Sequence, residues 1–446
     1  MFDIGTVGIL VAMLLGLVVL GVHVAVALGL TSMVGLYLTT GKWRIVEATL
    51  ASTSAEALRD FTFAVIPLFM LMGEFIARSG AITDIYTAIN RSIGKLPGRL
   101  AVATIIGNTI FSFVTGVSIA SAAAFSRIAY PEMKARGYGR GFALGAIAGS
   151  SCLGMLIPPS VLMIVWGILT EQSIGRLFLA GVLPGVLMAA MFLTYAIGAA
   201  VVRPELAGGG LPDAPAKTGS SEIMTRVPLA QAFTSIGGIF AIIAAVLGGI
   251  WFGIFTPTEG AGAGAALALL FAFSKGMRGS GLLAAIFSVG KTAAPILILL
   301  LMAALYSRTL AMTGVTSGIQ SFFLESGLSP YTILALMVLV WFVLGMVIDS
   351  ISIMLLTVPI FEPLATALGF DRTAFAVVGI LAIEAGLLTP PFGLLVYTVK
   401  AAIEDPNVGV QQIFISSVPY WLIMLAGIIL ILAFPAIANY LPDLLF

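Results

Sequence analysis

The sequence predicts an all-α polytopic membrane protein built as an inverted structural repeat, with two re-entrant hairpins and two broken helices. Three observations carry that expectation. The 446 residues are 60% hydrophobic and only 9% charged, with a mean hydropathy of +1.14; a soluble domain carries about 25% charged residues. A long stretch recurs: from 118 to 159, 11 residues are repeated without a gap 232 positions later, where composition alone would give roughly three or four. Each copy also contains Gly and Pro-Pro inside an apolar segment, Gly154 with Pro158-Pro159 and Gly386 with Pro390-Pro391. Large repeats with interrupted apolar helices are the mark of a secondary transporter.

Apolar runs near the ~20 residues that span a bilayer lie at 4–22, 24–40, 60–78, 97–126, 141–170 and 176–202. The second half repeats the series at 233–253, 258–275, 291–313, 331–366, 372–399 and 412–439. The fourth run of each half has polar or small residues at its middle: Thr115, Gly116 and Ser118, then Gly345, Asp349, Ser350 and Ser352. Each is expected to be a hairpin that enters and leaves on one side, at about 97–134 and 331–366. Each half then makes five full crossings, and an odd number sets the halves in opposite orientations. The first repeat is expected over 1–202 and the second over 233–446. The intervening 203–232, rich in Gly, Pro, Ala and Ser, is expected to be a cytoplasmic linker. The mixed-charge stretch from Lys42 to Asp60 is open between an interfacial segment and a solvated loop.

Charge orients the scheme. With the N-terminus outside, 15 of the 21 basic residues fall on the cytoplasmic side, including Lys95, Lys134, Arg140, Lys217, Arg226, Lys275 and Lys400. Six fall outside: Lys42, Arg44, Arg59, Arg176, Arg308 and Arg372. The positive-inside bias supports that orientation and places both termini outside, beside Asp3 and Asp443. The net charge of +1 points to no nucleic acid. The lone Cys152 excludes an intrachain disulfide and argues against a Cys-based metal site. The lone His23, in a short interhelical link, is expected to be structural. The first apolar run lacks a basic leader and a small-residue cleavage site, so it reads as a retained helix.

The chemistry is expected at the interruptions. Proline donates no backbone hydrogen bond, so Pro158 and Pro390 break helices 141–170 and 372–399 at bilayer depth. Freed carbonyls there suit a cation, and half-helix N-termini suit an anion. Two hairpin tips and two breaks related by pseudo-symmetry should converge on one site for a carboxylate and sodium ions.

The stretches PLFMLMGEFIARSG (67–80), YPEMKARGY, GMLIPPS, TPTEGAG (256–262) and EAGLLTPPFG resemble the DctM-like large membrane (M) subunit of tripartite ATP-independent periplasmic (TRAP) transporters, over nearly the whole chain. That resemblance implies an elevator-type ion-transporter fold driven by a sodium gradient in the bacterial inner membrane. It implies two partners, a small four-helix membrane subunit and a periplasmic substrate-binding protein. The substrate class is an organic acid such as a C4-dicarboxylate, sialic acid or another carboxylate. No further four-helix unit is expected beside residue 1 or 446, and a separate chain is expected to supply the small subunit. By the same resemblance, one sodium site uses the tip Thr115, Gly116 and Ser118 with the break from Gly154 to Pro158. The other uses Asp349, Ser350 and Ser352 with the break from Gly386 to Pro390, Thr389 included. Family tips are richer in Ser and Gly than TGVS, so Val117 could offer only its carbonyl. Substrate contact is expected from Ser118, Ser151, Asp349, Ser350 and Thr389. Sodium is the coupling ion; no other cofactor and no transition-metal site is expected, since hydroxyls and carbonyls suit a hard cation.

Acids at bilayer depth are costly without partners. Asp349 is the expected functional acid, although DSIS also has the form of a helix cap. Glu384 is expected to bond the backbone freed by Pro390 rather than an ion. Glu259 is expected to compensate a helix dipole. Glu74 stands alone in an apolar helix, and pairing with Arg308 is not expected. A stand-alone sodium/carboxylate symporter is the alternative within the class. An intramembrane enzyme is disfavoured by the lack of HExxH, GxSxG or paired catalytic acids. A channel is disfavoured by hairpins set in an inverted repeat.

Overall fold

The computed structural model describes residues 4–94, 96–208 and 229–446. Most of the expected linker, with Lys217 and Arg226, lies outside them, as do Asp3 and Lys95. The described residues are helical throughout, with one isolated β-bridge between Tyr138 and Ala207.

The first half runs α1 (Ile4–Val19), α2 (Val24–Thr40), α3 (Trp43–Arg59), α4 (Val65–Arg78), α5 (Ala81–Ser92), α6 (Arg99–Thr115), α7 (Ser118–Ala135), α8 (Arg140–Ser151), α9 (Leu153–Leu156), α10 (Val161–Thr170) and α11 (Ile174–Val202). The second half runs α12 (Leu229–Trp251), α13 (Pro257–Ser274), α14 (Gly279–Thr313), α15 (Val315–Glu325), α16 (Pro330–Gly345), α17 (Ser350–Ala367), α18 (Arg372–Gly386), α19 (Leu394–Ala402), α20 (Val410–Ala433) and α21 (Ala436–Leu445). Shifted by 232, α7 falls on α17 end for end, and α10 on α19 within one residue. Among the described residues, seven helical stretches are long and apolar enough to cross a bilayer.

Local chemistry sets the ends. His23 Nδ1 accepts from Ala25 N at 3.3 Å and opens α2. Thr256 and Glu259 form a reciprocal capping box on α13, the dipole role expected of Glu259. Gly116, left-handed at φ 60°, closes α6 and turns the chain into α7. The first hairpin arms, α6 and α16, have 17 and 16 residues. At 1.5 Å per residue they reach about 25 Å, short of the ~30 Å hydrocarbon layer. The chain then turns back into α7 and α17, as expected for two re-entrant hairpins.

Three expected segments differ in detail. The run 412–439 is two helices, because the chain leaves helical geometry at Phe434 and Pro435 heads α21. The run 291–313 begins earlier: α14 is one helix of 35 residues from Gly279. The stretch 42–60 is neither loop nor irregular; α3 packs on α14, where Arg308 meets Glu56 at 3.0 Å.

The halves are interleaved. α2 packs on α14 and α4 on α13; α7 packs on α19 and α10 on α17. In each case the partner comes from the other repeat, so neither half completes its core alone. At the centre Trp166 of α10 lies 6.0 Å from Trp341 of α16, and both meet Phe375 of α18. Gly379 makes this possible, since a Cβ there would stand 2.9 Å from both indoles. The hairpins' outer ends are tied across repeats as well. Lys134 of α7 meets the buried Asp405 at 2.6 Å. Arg372 pairs with Glu362 of α17 and donates to the Thr170 carbonyl at 3.1 Å.

Candidate functional site

Each broken helix wraps its hairpin tip through backbone contacts. Val161 N donates to the Gly116 carbonyl at 3.1 Å, joining the first tip to the residue after its break. Phe392 N donates to the Met346 carbonyl at 3.0 Å and does the same for the second. Glycine permits both approaches. A Cβ on Gly154 would lie 3.0 Å from the backbone of Ser118, and one on Gly386 would lie 2.7 Å from Gly345 Cα. The Pro158–Pro159 and Pro390–Pro391 bonds are both cis.

Between the tips lies a small cavity of about 50 Å³. Its polar lining is Ser118, Asp349, Ser350 and Glu384; the rest is apolar, Met155 and Leu387 among it. No Lys, Arg or His lines it. Ser118 and Ser350, the equivalent first residues of α7 and α17, both reach one carboxylate. Ser118 Oγ donates to Glu384 Oε2 at 2.6 Å, and Ser350 Oγ donates to Glu384 Oε1 at 2.9 Å. Glu384 is 1% exposed, so its carboxyl group is satisfied by these donors rather than by water.

The cavity therefore brings together Ser118, Asp349 and Ser350 of the residues expected from sequence. Asp349 is half-buried, and its Oδ1 accepts from Ser352 N at 3.0 Å, so the acid caps α17 while lining the cavity. The other candidates surround it. Thr115 donates to the Phe111 carbonyl at 3.2 Å, Ser151 to Ala148 at 2.6 Å, and Thr389 to Gly386 at 2.6 Å. Those hydroxyls are directed at their own chain. Pro158, Ser352 and Gly386 are buried around the tips without lining the cavity. The Met155 carbonyl freed by the first break is taken by Ser160 Oγ.

Glu384 needs correction. It bonds the two tip serines, not the backbone freed by Pro390. Six residues is more than one and a half helical turns, so its side chain lies level with the tips. The signal available in the sequence was its equivalence to Cys152: a carboxyl on one side of the repeat where the other carries a small thiol.

Glu74 and Asp84, outside the cavity, are ion-paired. Glu74 meets Arg78 at 2.7 Å one turn on, and Asp84 meets Lys275 at 2.6 Å with Ser235 beside both. A larger open cleft of about 740 Å³ lies between the end of α10 and the start of α13, where Glu259 is committed to its capping box. Among the described residues no cluster of three or more His, Cys, Asp or Glu could hold a metal.

Comparison with known proteins agrees with this architecture. The family model described as "Tripartite ATP-independent periplasmic transporter, DctM component" matches residues 11–437. The C4-dicarboxylate TRAP transporter large permease protein of Pseudomonas aeruginosa is 31% identical over 89% of this chain and 89% of its own length. The ectoine TRAP transporter large permease protein of Halomonas elongata is 31% identical over 98% of this chain and 99% of its own. Among solved structures, the Alcanivorax borkumensis YdaH transporter, reported for its unusual topology, superposes with a TM-score of 0.62. It covers 91% of this chain and 89% of that one at 13% identity, a likeness of fold alone.

Proposed function

This chain belongs to the DctM component family of tripartite ATP-independent periplasmic transporters, and from that premise we propose that it drives uptake of an organic acid with a sodium gradient. It is a multi-pass membrane permease, not an enzyme. The proposed setting is the bacterial inner membrane, with both termini periplasmic. A periplasmic binding protein delivers the substrate, and a small four-helix membrane subunit completes the transporter. The substrate class is a carboxylate, as C4-dicarboxylates are for the Pseudomonas relative named above.

The observation that carries this reading is the convergence of both hairpin tips and both helix breaks on one cavity. The hydroxyls of Ser118 and Ser350 and the acids Asp349 and Glu384 meet there with no basic side chain. A carboxylate substrate then finds no cationic side chain to neutralise it. Coupling ions supply that charge: sodium beside Ser118 and Gly154 at one tip, and beside Asp349, Ser350 and Gly386 at the other. Hard oxygen donors of this kind suit sodium. Interleaved hairpins and breaks form one packed body able to move as a unit against the α2–α4 and α13–α14 helices, which is the elevator form of alternating access.

The test is uptake by proteoliposomes holding this chain with its small subunit and binding protein. Accumulation that requires an inward sodium gradient supports the reading. Equal flux in sodium-free potassium buffer contradicts it.

A further inference from the structure

We propose that Glu384 is a positioning residue that couples the two hairpin tips, so that occupancy of one ion site orders the other. The proposal rests on the sodium-coupled reading above and adds to it a specific wire between the two sites.

The argument begins with symmetry. Cys152 and Glu384 stand 232 residues apart and touch: Cys152 Sγ donates to the Glu384 carbonyl at 3.7 Å. They face one another where the two repeats meet. Ser118 and Ser350 are an equivalent pair on the same spacing, each opening the second arm of its hairpin. A symmetric site would give each serine its own partner. Here one acid serves both, one oxygen each, because the equivalent position in the first repeat carries only a thiol.

The geometry makes the carboxylate a linkage. Its two oxygens are fixed in one plane, so a shift of one tip serine drags the acceptor of the other. The α18 backbone does not absorb the shift, since every residue from Thr373 to Gly386 is buried. Ser118 also has a second acceptor within its own repeat. The Cys152 carbonyl lies 3.4 Å from its Oγ, against 2.6 Å for Glu384. The Ser118 hydroxyl thus has two acceptors in reach, one in each repeat, and the proposed switch is its exchange between Glu384 and the Cys152 carbonyl. A two-state element whose balance both sites bias is what allosteric coupling requires. An ion that orders the second tip holds Ser350 on Glu384, fixes the carboxylate, and keeps Ser118 on it as well.

Other charges do not compete for this acid. The ion pairs of the hairpins, Lys134 with Asp405, Arg136 with Glu132 and Arg372 with Glu362, all involve residues 14 or more positions after the tip serine on α7 or 12 after it on α17. Asp349 is the one other acid facing the cavity.

The experiment is a sodium titration of uptake by the reconstituted complex, comparing wild type with Glu384→Ala, Glu384→Gln, Ser118→Ala and Ser350→Ala. Wild type is expected to respond steeply, with a Hill coefficient above one. Glu384→Ala is expected to respond hyperbolically, with half-saturating sodium raised by roughly 5- to 150-fold, the usual span of site–site coupling. Its maximal rate is expected to return at saturating sodium. Glu384→Gln is expected to keep the steepness, because an amide can accept from one serine and donate to the other. Sodium-independent uptake by wild type overturns the function and the coupling together. A sodium-dependent wild type matched in steepness by Glu384→Ala overturns the coupling alone. Thermal unfolding in sodium-free buffer reads the linkage without transport. Ser118→Ala and Ser350→Ala should each lower Tm in wild type and change it little in Glu384→Ala. Fully additive losses overturn the linkage even where a variant transports poorly.

Discussion

Gly116 is pressed against the Pro159 carbonyl: a Cβ at Gly116 would stand 2.1 Å from that oxygen. The contact joins the first hairpin tip to the break of the following helix, and the same glycine holds a left-handed backbone at φ 60°. Neither neighbour can yield, because the opposing atom is backbone. Gly116→Ala is therefore expected to cost at least ~2 kcal/mol from strain and overpacking, read as a lower Tm in detergent, and to abolish uptake. Gly290→Ala, where a Cβ would meet nothing within 4 Å, should leave both unchanged.

Asp349 separates capping from ion support. Its Oδ1 accepts from Ser352 N at 3.0 Å, a role asparagine fills nearly as well. Asp349→Asn should keep its stability within about 1 kcal/mol of wild type while losing uptake at ordinary sodium concentrations. A raised half-saturating sodium concentration assigns the carboxylate to the ion; an unchanged one assigns it to substrate. Wild-type uptake in this variant removes Asp349 from the site.

Asp405 sets a pH dependence at the outer end of the first hairpin. Lys134 at 2.6 Å, with the Asn407 N–H and the Tyr130 hydroxyl, holds its carboxyl well below the usual carboxylate range. A depressed folded value contributes stability above the unfolded pKa, about 3.9, and loses it as pH falls toward the folded one. Asp405→Asn should thus unfold at a lower temperature than wild type at pH 7 and pH 5 alike. The gap should close only below about pH 4. A gap constant down to pH 3 would show that the ion pair does not set it.

Orientation follows from the basic-residue bias. Cys152 is 2% exposed, so the native thiol should be silent to a water-soluble maleimide. Ser274→Cys, exposed beside Lys275, should label only after spheroplasts are opened. Ser326→Cys, exposed after α15, should label in intact ones. The reverse pattern would invert the topology and exchange the sides to which the hairpins open.

Much of the fold was legible because the repeat leaves marks that composition cannot. Pro-Pro, Gly and the tip serines recur at one spacing, and α7 and α17 coincide under it to the residue. What stayed hidden depends on partners far away in sequence. Glu384 and Ser118 are 266 residues apart, and Asp84 and Lys275 are 191 apart. No periodicity reports such a pair. The helix α5 was missed for a related reason: Asp84, Asn90 and Arg91 dilute its apolar face, and Asp84 is buried only because Lys275 meets it. The N-terminal part of α14, from Gly279 to Gly290, lies outside the apolar run 291–313 but continues the same helix.

The central claim, a sodium-driven permease working from the cavity between Ser118 and Ser350, is tested most directly by counterion exchange. Proteoliposomes carrying the permease, its small subunit and its binding protein are loaded with potassium buffer and given labelled carboxylate substrate. The account predicts accumulation above the external concentration when sodium is outside, none when potassium replaces it, and full activity with ATP absent. Accumulation that persists at the same rate without sodium would contradict it.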